Sequence, residues 1–216
     1  MAQIAEDLFL LLVDNASAQP ALTRDRRERL LAGAVLLDLA HACRIRPSAP
    51  GDAVDAGRLV ALSGGGPLDP AVGPAFDLLS RRALRPRAAV SKLRKGAQDH
   101  LTAHLERLGE IRRVPISSAQ SAWPLISRRR VGPARSALLS ALFDRTPPTP
   151  STAAIVTLLH ATDGLGALLS LNDRGWRWVH ARASEISSGS WVDESPTSLA
   201  EVNLAITASA VRSVLL

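Results

Sequence analysis

The chain has 216 residues, 46% of them hydrophobic, which is enough to bury a sizeable core, and one domain spanning residues 1–216 is expected. Its 26 Lys and Arg against 20 Asp and Glu leave a net charge of +6, a balance that favours a polyanionic partner. A lone Cys43 excludes an internal disulfide framework and any multi-cysteine zinc or iron–sulfur site, so a reducing cytosol is the simpler setting.

Aromatic residues make up only 3% of the chain and Tyr is absent, so the core must be built from Leu, Ala, Val and Ile. These residues pack well between helices, and an all-α, mainly helical fold follows. At the N-terminus, Glu6 and Asp7 precede the apolar run Leu8 to Val13, the reverse of a signal peptide's basic start. No stretch approaches the ~18 apolar residues of a membrane span. The expectation is a cytoplasmic protein, associated with a membrane only peripherally.

Helical periodicity is clearest over residues 22–42, where Leu30, Leu31, Val35, Leu36, Leu37 and Leu39 leave little polarity on any side, so this helix should be central. Thr23 and Asp25 are its candidate caps and Pro47 lies beyond its end. Small residues, Pro and Gly then frame a short strand at 58–62 and a loop at Gly64-Gly65-Gly66. Helices are predicted over 69–84 and 90–108, the second with Gly109 where a helix-terminating glycine belongs. Two apolar pieces, 111–116 and 123–126, bracket a polar turn and predict a β-hairpin. Further helices are predicted over 133–144, 151–169, 173–187 and 196–214.

Positive charge is concentrated twice. Arg81, Arg82, Arg85, Arg87, Lys92, Arg94 and Lys95 fall in a run without a single acid, and Arg107, Arg112, Arg113, Arg128, Arg129, Arg130 and Arg135 form a second group. After Arg182 the balance turns acidic through Glu185, Asp193, Glu194 and Glu201. Arginine forks onto phosphate bidentately, so a basic pole of this composition suits phosphate headgroups or nucleic acid.

Catalytic and metal signatures do not emerge. His100 and His104 have the spacing of metal ligands, but no Glu stands beside the first, and they read as structural histidines; no metal is expected. Gly64-Gly65-Gly66 lacks the Lys and Ser or Thr of a phosphate-binding loop, and no serine sits in a nucleophile elbow. The chain is therefore expected not to be an enzyme and to need no cofactor.

Several segments carry a family likeness: Glu6-Asp7-Leu8-Phe9-Leu10-Leu11-Leu12, Gly33-Ala34-Val35-Leu36-Leu37-Asp38-Leu39-Ala40, His104-Leu105-Glu106-Arg107-Leu108-Gly109, Trp123-Pro124-Leu125 and Leu159-His160-Ala161-Thr162-Asp163-Gly164. In this order, over about residues 4–212, they resemble the Golgi phosphoprotein 3 family, peripheral membrane adaptors that recognise phosphatidylinositol 4-phosphate. The Ala- and Arg-rich composition leans toward a divergent bacterial member.

That resemblance implies a single compact helical domain with a central helical bundle and a small β-hairpin, the hairpin exposed, apolar and linked to self-association, and a basic face holding a phosphoinositide headgroup. In eukaryotic members the pocket uses a tryptophan and three arginines, which fall near Thr23 and at Ala32, Lys95 and Gln98; of these only Lys95 is charged. Arg26, Arg27 and Arg94 stand close in sequence, so the candidate headgroup residues are Arg26, Arg27, Arg94 and Lys95. The candidate membrane or self-association hairpin comprises Trp123, Leu125, Arg128, Arg129 and Arg130. The function expected is an adaptor for an anionic phospholipid surface. The alternatives are a nucleic-acid-binding regulator and a basic protein–protein scaffold.

Overall fold

A computed structural model describes residues 3–64, 66–117, 120–189 and 198–216. The predicted start of the last helix, Asp193, Glu194, Gly65 and two residues of the hairpin turn lie outside the described residues. Eight helices occur among those described: α1 (Gln3–Val13), α2 (Arg24–His41), α3 (Gly73–Arg81), α4 (Pro86–Arg107), α5 (Val131–Phe143), α6 (Pro150–Ala161), α7 (Asp173–Ser187) and α8 (Leu199–Leu215). Two antiparallel ribbons complete the set, β1 (Ile45–Pro47) with β2 (Leu59–Ala61) and β3 (Val114–Pro115) with β4 (Ser121–Ala122). The fold is mainly α, and no described helix is long and apolar enough to cross a membrane.

The two most apolar segments are the innermost. α2 is buried from Leu30 to Ala40 and packs against α1, α4, α6 and α8; α1 is buried from Ile4 to Val13. A helix with no polar side has nowhere to go but the interior. Gly33 permits the closest approach: a Cβ there would meet Leu158 Cδ2 at 3.0 Å, Val211 Cγ1 at 3.2 Å and Leu215 Cδ1 at 3.3 Å.

Polar side chains deep in the bundle stitch helices end to end. Asp38 accepts from the Ile4 and Ala5 N–H groups at 2.8 and 2.9 Å, so a residue of α2 caps the start of α1. The Asn203 amide donates to the Ala40 and Ile45 carbonyls at 2.6 and 2.7 Å, tying α8 to the end of α2 and to β1.

Element ends depart from the sequence reading for local reasons. α4 starts at Pro86 because proline suits the first helical turn, where its missing N–H costs nothing. α6 stops at Ala161: Asp163 turns left-handed at φ 51° and the Gly164 N–H returns to the Leu159 carbonyl at 2.6 Å. Leu165–Ala167 then forms only a single 3-10 turn. Gly109 does terminate α4, at φ 71°. Cys43 is half-buried at φ 51°, in a left-handed turn that closes α2.

Candidate functional site

The hairpin pairs Val114 with Ala122 and Pro115 with Ser121, with Ile111 bridging to Leu125 behind them. It is held to the α1–α2 connection by the Trp123 N–H, which donates to the Ala18 carbonyl at 2.6 Å. That anchoring, α4 and the start of α2 enclose a polar cleft of about 640 Å³. Arg24, Arg27 and Glu28 come from α2, Lys95, Gln98, Asp99 and Glu106 from α4, and Arg113 and Trp123 from the hairpin. Four cations thus face three carboxylates.

Arg27 is the most committed of these cations to the cleft. Its Nε donates to Gln98 Oε1 at 2.7 Å and its Nη1 to the Leu22 carbonyl at 3.1 Å and the Pro20 carbonyl at 3.4 Å, so its described partners are neutral oxygens. Burial pulls its pKa below the usual arginine value, Glu28 opposes that shift and Arg24 adds to it. An anion in the cleft would add to the partial compensation that Glu28 gives. Arg24 is paired with Glu28 at 2.7 Å, and the Arg113 backbone N–H binds Glu106 at 2.7 Å.

The predicted headgroup residues separate into two kinds. Arg27 and Lys95 share the cleft. Arg26 instead pairs with Asp163 at 3.3 Å and Arg94 with Asp25 at 2.8 Å. Among the positions that the resemblance pointed to, Gln98 lines the cleft, whereas Ala32 is fully buried in the core.

The predicted hairpin set is also divided. Trp123 is half-buried with its ring edge-on to Phe9, centroids 6.0 Å apart, and Leu125 also packs on the core. The exposed apolar side chains of this region are Ile116 and Ile126, at 52% and 61%. Arg128, Arg129 and Arg130 follow the hairpin and lead into α5. Arg128 pairs with Asp14 at 3.1 Å; Arg130 binds Glu6 and, at 2.6 Å, Asp7. Arg129 and Arg130 line a different cleft, of about 520 Å³, beside α5 and α6.

Sequence reasoning missed Glu28, Asp99, Glu106 and Arg113 as cleft residues. A signal for two of them, Asp99 and Glu106, was present: Lys95, Gln98, Asp99, Thr102 and Glu106 recur at helical spacing as a polar stripe on a helix whose other side is Leu and Ala.

No curated protein matches the chain. A family model, described as Golgi phosphoprotein 3 (GPP34), matches residues 4–201, from the start of α1 into α8. The protein belongs to the Golgi phosphoprotein 3 family.

Proposed function

We propose that this protein is a peripheral membrane adaptor that docks on anionic phospholipid, with the Arg27–Lys95 cleft receiving a phosphorylated headgroup such as phosphatidylinositol 4-phosphate. The observation that carries this reading is a run of exposed cations from the end of α3 along α4 to Lys95 in the cleft. Arg81, Arg82, Arg85, Arg87, Lys92 and Lys95 are all exposed, and none has a carboxylate within 4.0 Å among the described residues. Each basic side chain near an anionic leaflet contributes about 1 kcal/mol, so such a group would hold the protein weakly and in a salt-dependent way. Ile116 and Ile126, beside Arg112, Arg113 and Arg129, supply the exposed apolar side chains that shallow insertion requires.

Co-sedimentation with vesicles tests the reading. Three compositions are compared: phosphatidylcholine alone, phosphatidylcholine with phosphatidylserine, and phosphatidylcholine with phosphatidylinositol 4-phosphate. Binding should increase with either anionic lipid and weaken with salt. The double variant Arg27→Gln/Lys95→Gln should lose preference for the phosphoinositide while retaining phosphatidylserine binding, and Ile116→Ser/Ile126→Ser should weaken binding to every vesicle. Binding indifferent to lipid charge and to salt refutes the adaptor reading, and retention of duplex DNA in a gel shift at physiological salt would favour the nucleic-acid alternative.

A further inference from the structure

A second cluster lies inside the fold, where three segments far apart in sequence meet. Glu6 from α1, Asp69 from the loop before α3, and His104 from α4 place Glu6 Oε1, Asp69 Oδ1 and His104 Nε2 within 4.8 Å of one another. His104 Nε2 is 3.3 Å from Glu6 Oε1 and 3.4 Å from Asp69 Oδ1. We propose that Glu6, Asp69 and His104 form a binding site for a divalent transition-metal ion of the zinc class. The inference does not depend on the lipid reading.

Geometry is the first argument. Zinc bound to nitrogen and oxygen at about 2.0–2.1 Å in a tetrahedron separates its ligand atoms by about 3.3–3.4 Å. Both measured nitrogen–oxygen separations match that edge. Both are long for a charge-assisted hydrogen bond, which closes to about 2.7–2.9 Å.

The imidazole itself is the second argument. Its side chain is only 9% exposed, its Nε2 points between the two carboxylates, and its Nδ1 is buried without a hydrogen-bond partner among the described residues. Here one ring nitrogen and two carboxylate oxygens converge on a single point, the donor set a first-row divalent cation takes.

Charge is the third. Arg130 binds the other oxygen of Glu6, Oε2, and also Asp7, so one guanidinium is divided between two carboxylates and Glu6 Oε1 remains turned toward His104. Asp69 Oδ1 accepts the Ala71 N–H at 3.0 Å, a bond that orients the carboxylate. A site with two carboxylates and one imidazole suits zinc and its first-row neighbours over calcium or magnesium, which prefer all-oxygen shells.

The full chain, stripped with a chelator and dialysed, is titrated with zinc chloride by calorimetry and with cobalt(II) chloride by visible absorption. One ion should bind per chain, cobalt should give the intense visible bands of a tetrahedral site, and zinc should raise the midpoint of thermal unfolding. Asp69→Asn, at the least buried of the three ligands, should weaken zinc binding by at least ~10-fold, as should His104→Asn. The exposed neighbour His100→Asn should leave it unchanged. Should His104→Asn fail to fold by far-UV circular dichroism, Asp69→Asn alone decides. Absence of zinc binding to the wild-type chain overturns the proposal, and so does binding that survives Asp69→Asn or is lost in His100→Asn.

Discussion

Asp38 gives the sharpest test of how this core is assembled. It is 4% exposed, in the middle of the innermost helix, and takes the N–H groups of Ile4 and Ala5, two of the donors that open α1 and lack intrahelical partners. Burial pushes its carboxyl up to about 8, against the pull of both donors. An unfolded-chain aspartate titrates near 3.9, so between about pH 4 and pH 8 the folded protein holds a proton that the unfolded chain releases. A raised folded-state pKa contributes stability that is complete below the unfolded value and is lost as pH rises through the folded one. The slope reaches about 1.4 kcal/mol per pH unit within that window.

Asp38→Asn keeps the shape and one acceptor but removes the titration. Urea denaturation of wild type and variant, followed by circular dichroism across this range, should show the wild-type advantage greatest at the acid end and shrinking steadily toward pH ~8. Burial also raises Glu6 and Asp7; both are present in both proteins, and Glu6, whose charge helps to raise Asp38, shares in the difference only through that pair. Asp38→Ala, which strands both donors, should cost about 2–4 kcal/mol at the acid end, a large share of the ~5–15 kcal/mol that holds such a chain folded. A gap that stays constant, or widens with pH, refutes the reasoning, because widening would mean that α1 is stabilised by the ionised carboxylate.

Gly33→Val should destabilise by about 1–3 kcal/mol in the same assay, because its branched carbons would extend past a Cβ already 3.0 Å from Leu158 and 3.2 Å from Val211. Arg130→Met leaves Glu6 and Asp7, at 2% and 7% exposure, without their shared cation and should cost about 3 kcal/mol, whereas exposed Arg129→Ala should stay within about 0.5 kcal/mol of wild type.

The helices were legible because their pattern is strong: the Leu-rich turns of α2, the spaced leucines of α4 and the proline at the start of α6 say where helices begin and which face turns inward. β1 carries little pattern of its own, because Ile45-Arg46-Pro47 is three residues long and contains a proline; a short basic strand at Arg44 follows only from the family resemblance, and pairing with β2 holds it. The end of α6 was misplaced because an aspartate, where glycine is usual, adopts the left-handed turn. The basic character of the α3–α4 run was readable from its lack of acids. What no local pattern could give was long-range pairing: Arg130 meets Asp7 across 123 positions, Arg27 meets Gln98 across 71, and Asn203 reaches Ala40 across 163. Histidine spacing pointed from His104 to His100, whereas the fold turns His104 toward Glu6 and Asp69.

Those pairings also determine which arginines remain available to a partner. Glu6, Asp7 and Asp14 take Arg128, Arg130 and Arg135, so much of the second basic concentration fastens the hairpin exit and α5 to α1 and its following turn. Releasing Arg130 to a phosphate would break a buried pair, at about 3–5 kcal/mol, more than the phosphate contact would return. Arg26 and Arg94 are held differently: their partners Asp163 and Asp25 are 77% and 61% exposed, and ion pairs of that kind contribute about 0–1 kcal/mol. Arg94 and Arg26 can therefore exchange their carboxylate partners at almost no cost, whereas Arg130 stays in place. If the proposed headgroup reading holds, affinity for the phosphorylated headgroup should follow substitutions of Arg27 and Lys95 and ignore Arg130, whose charge is committed to Glu6 and Asp7.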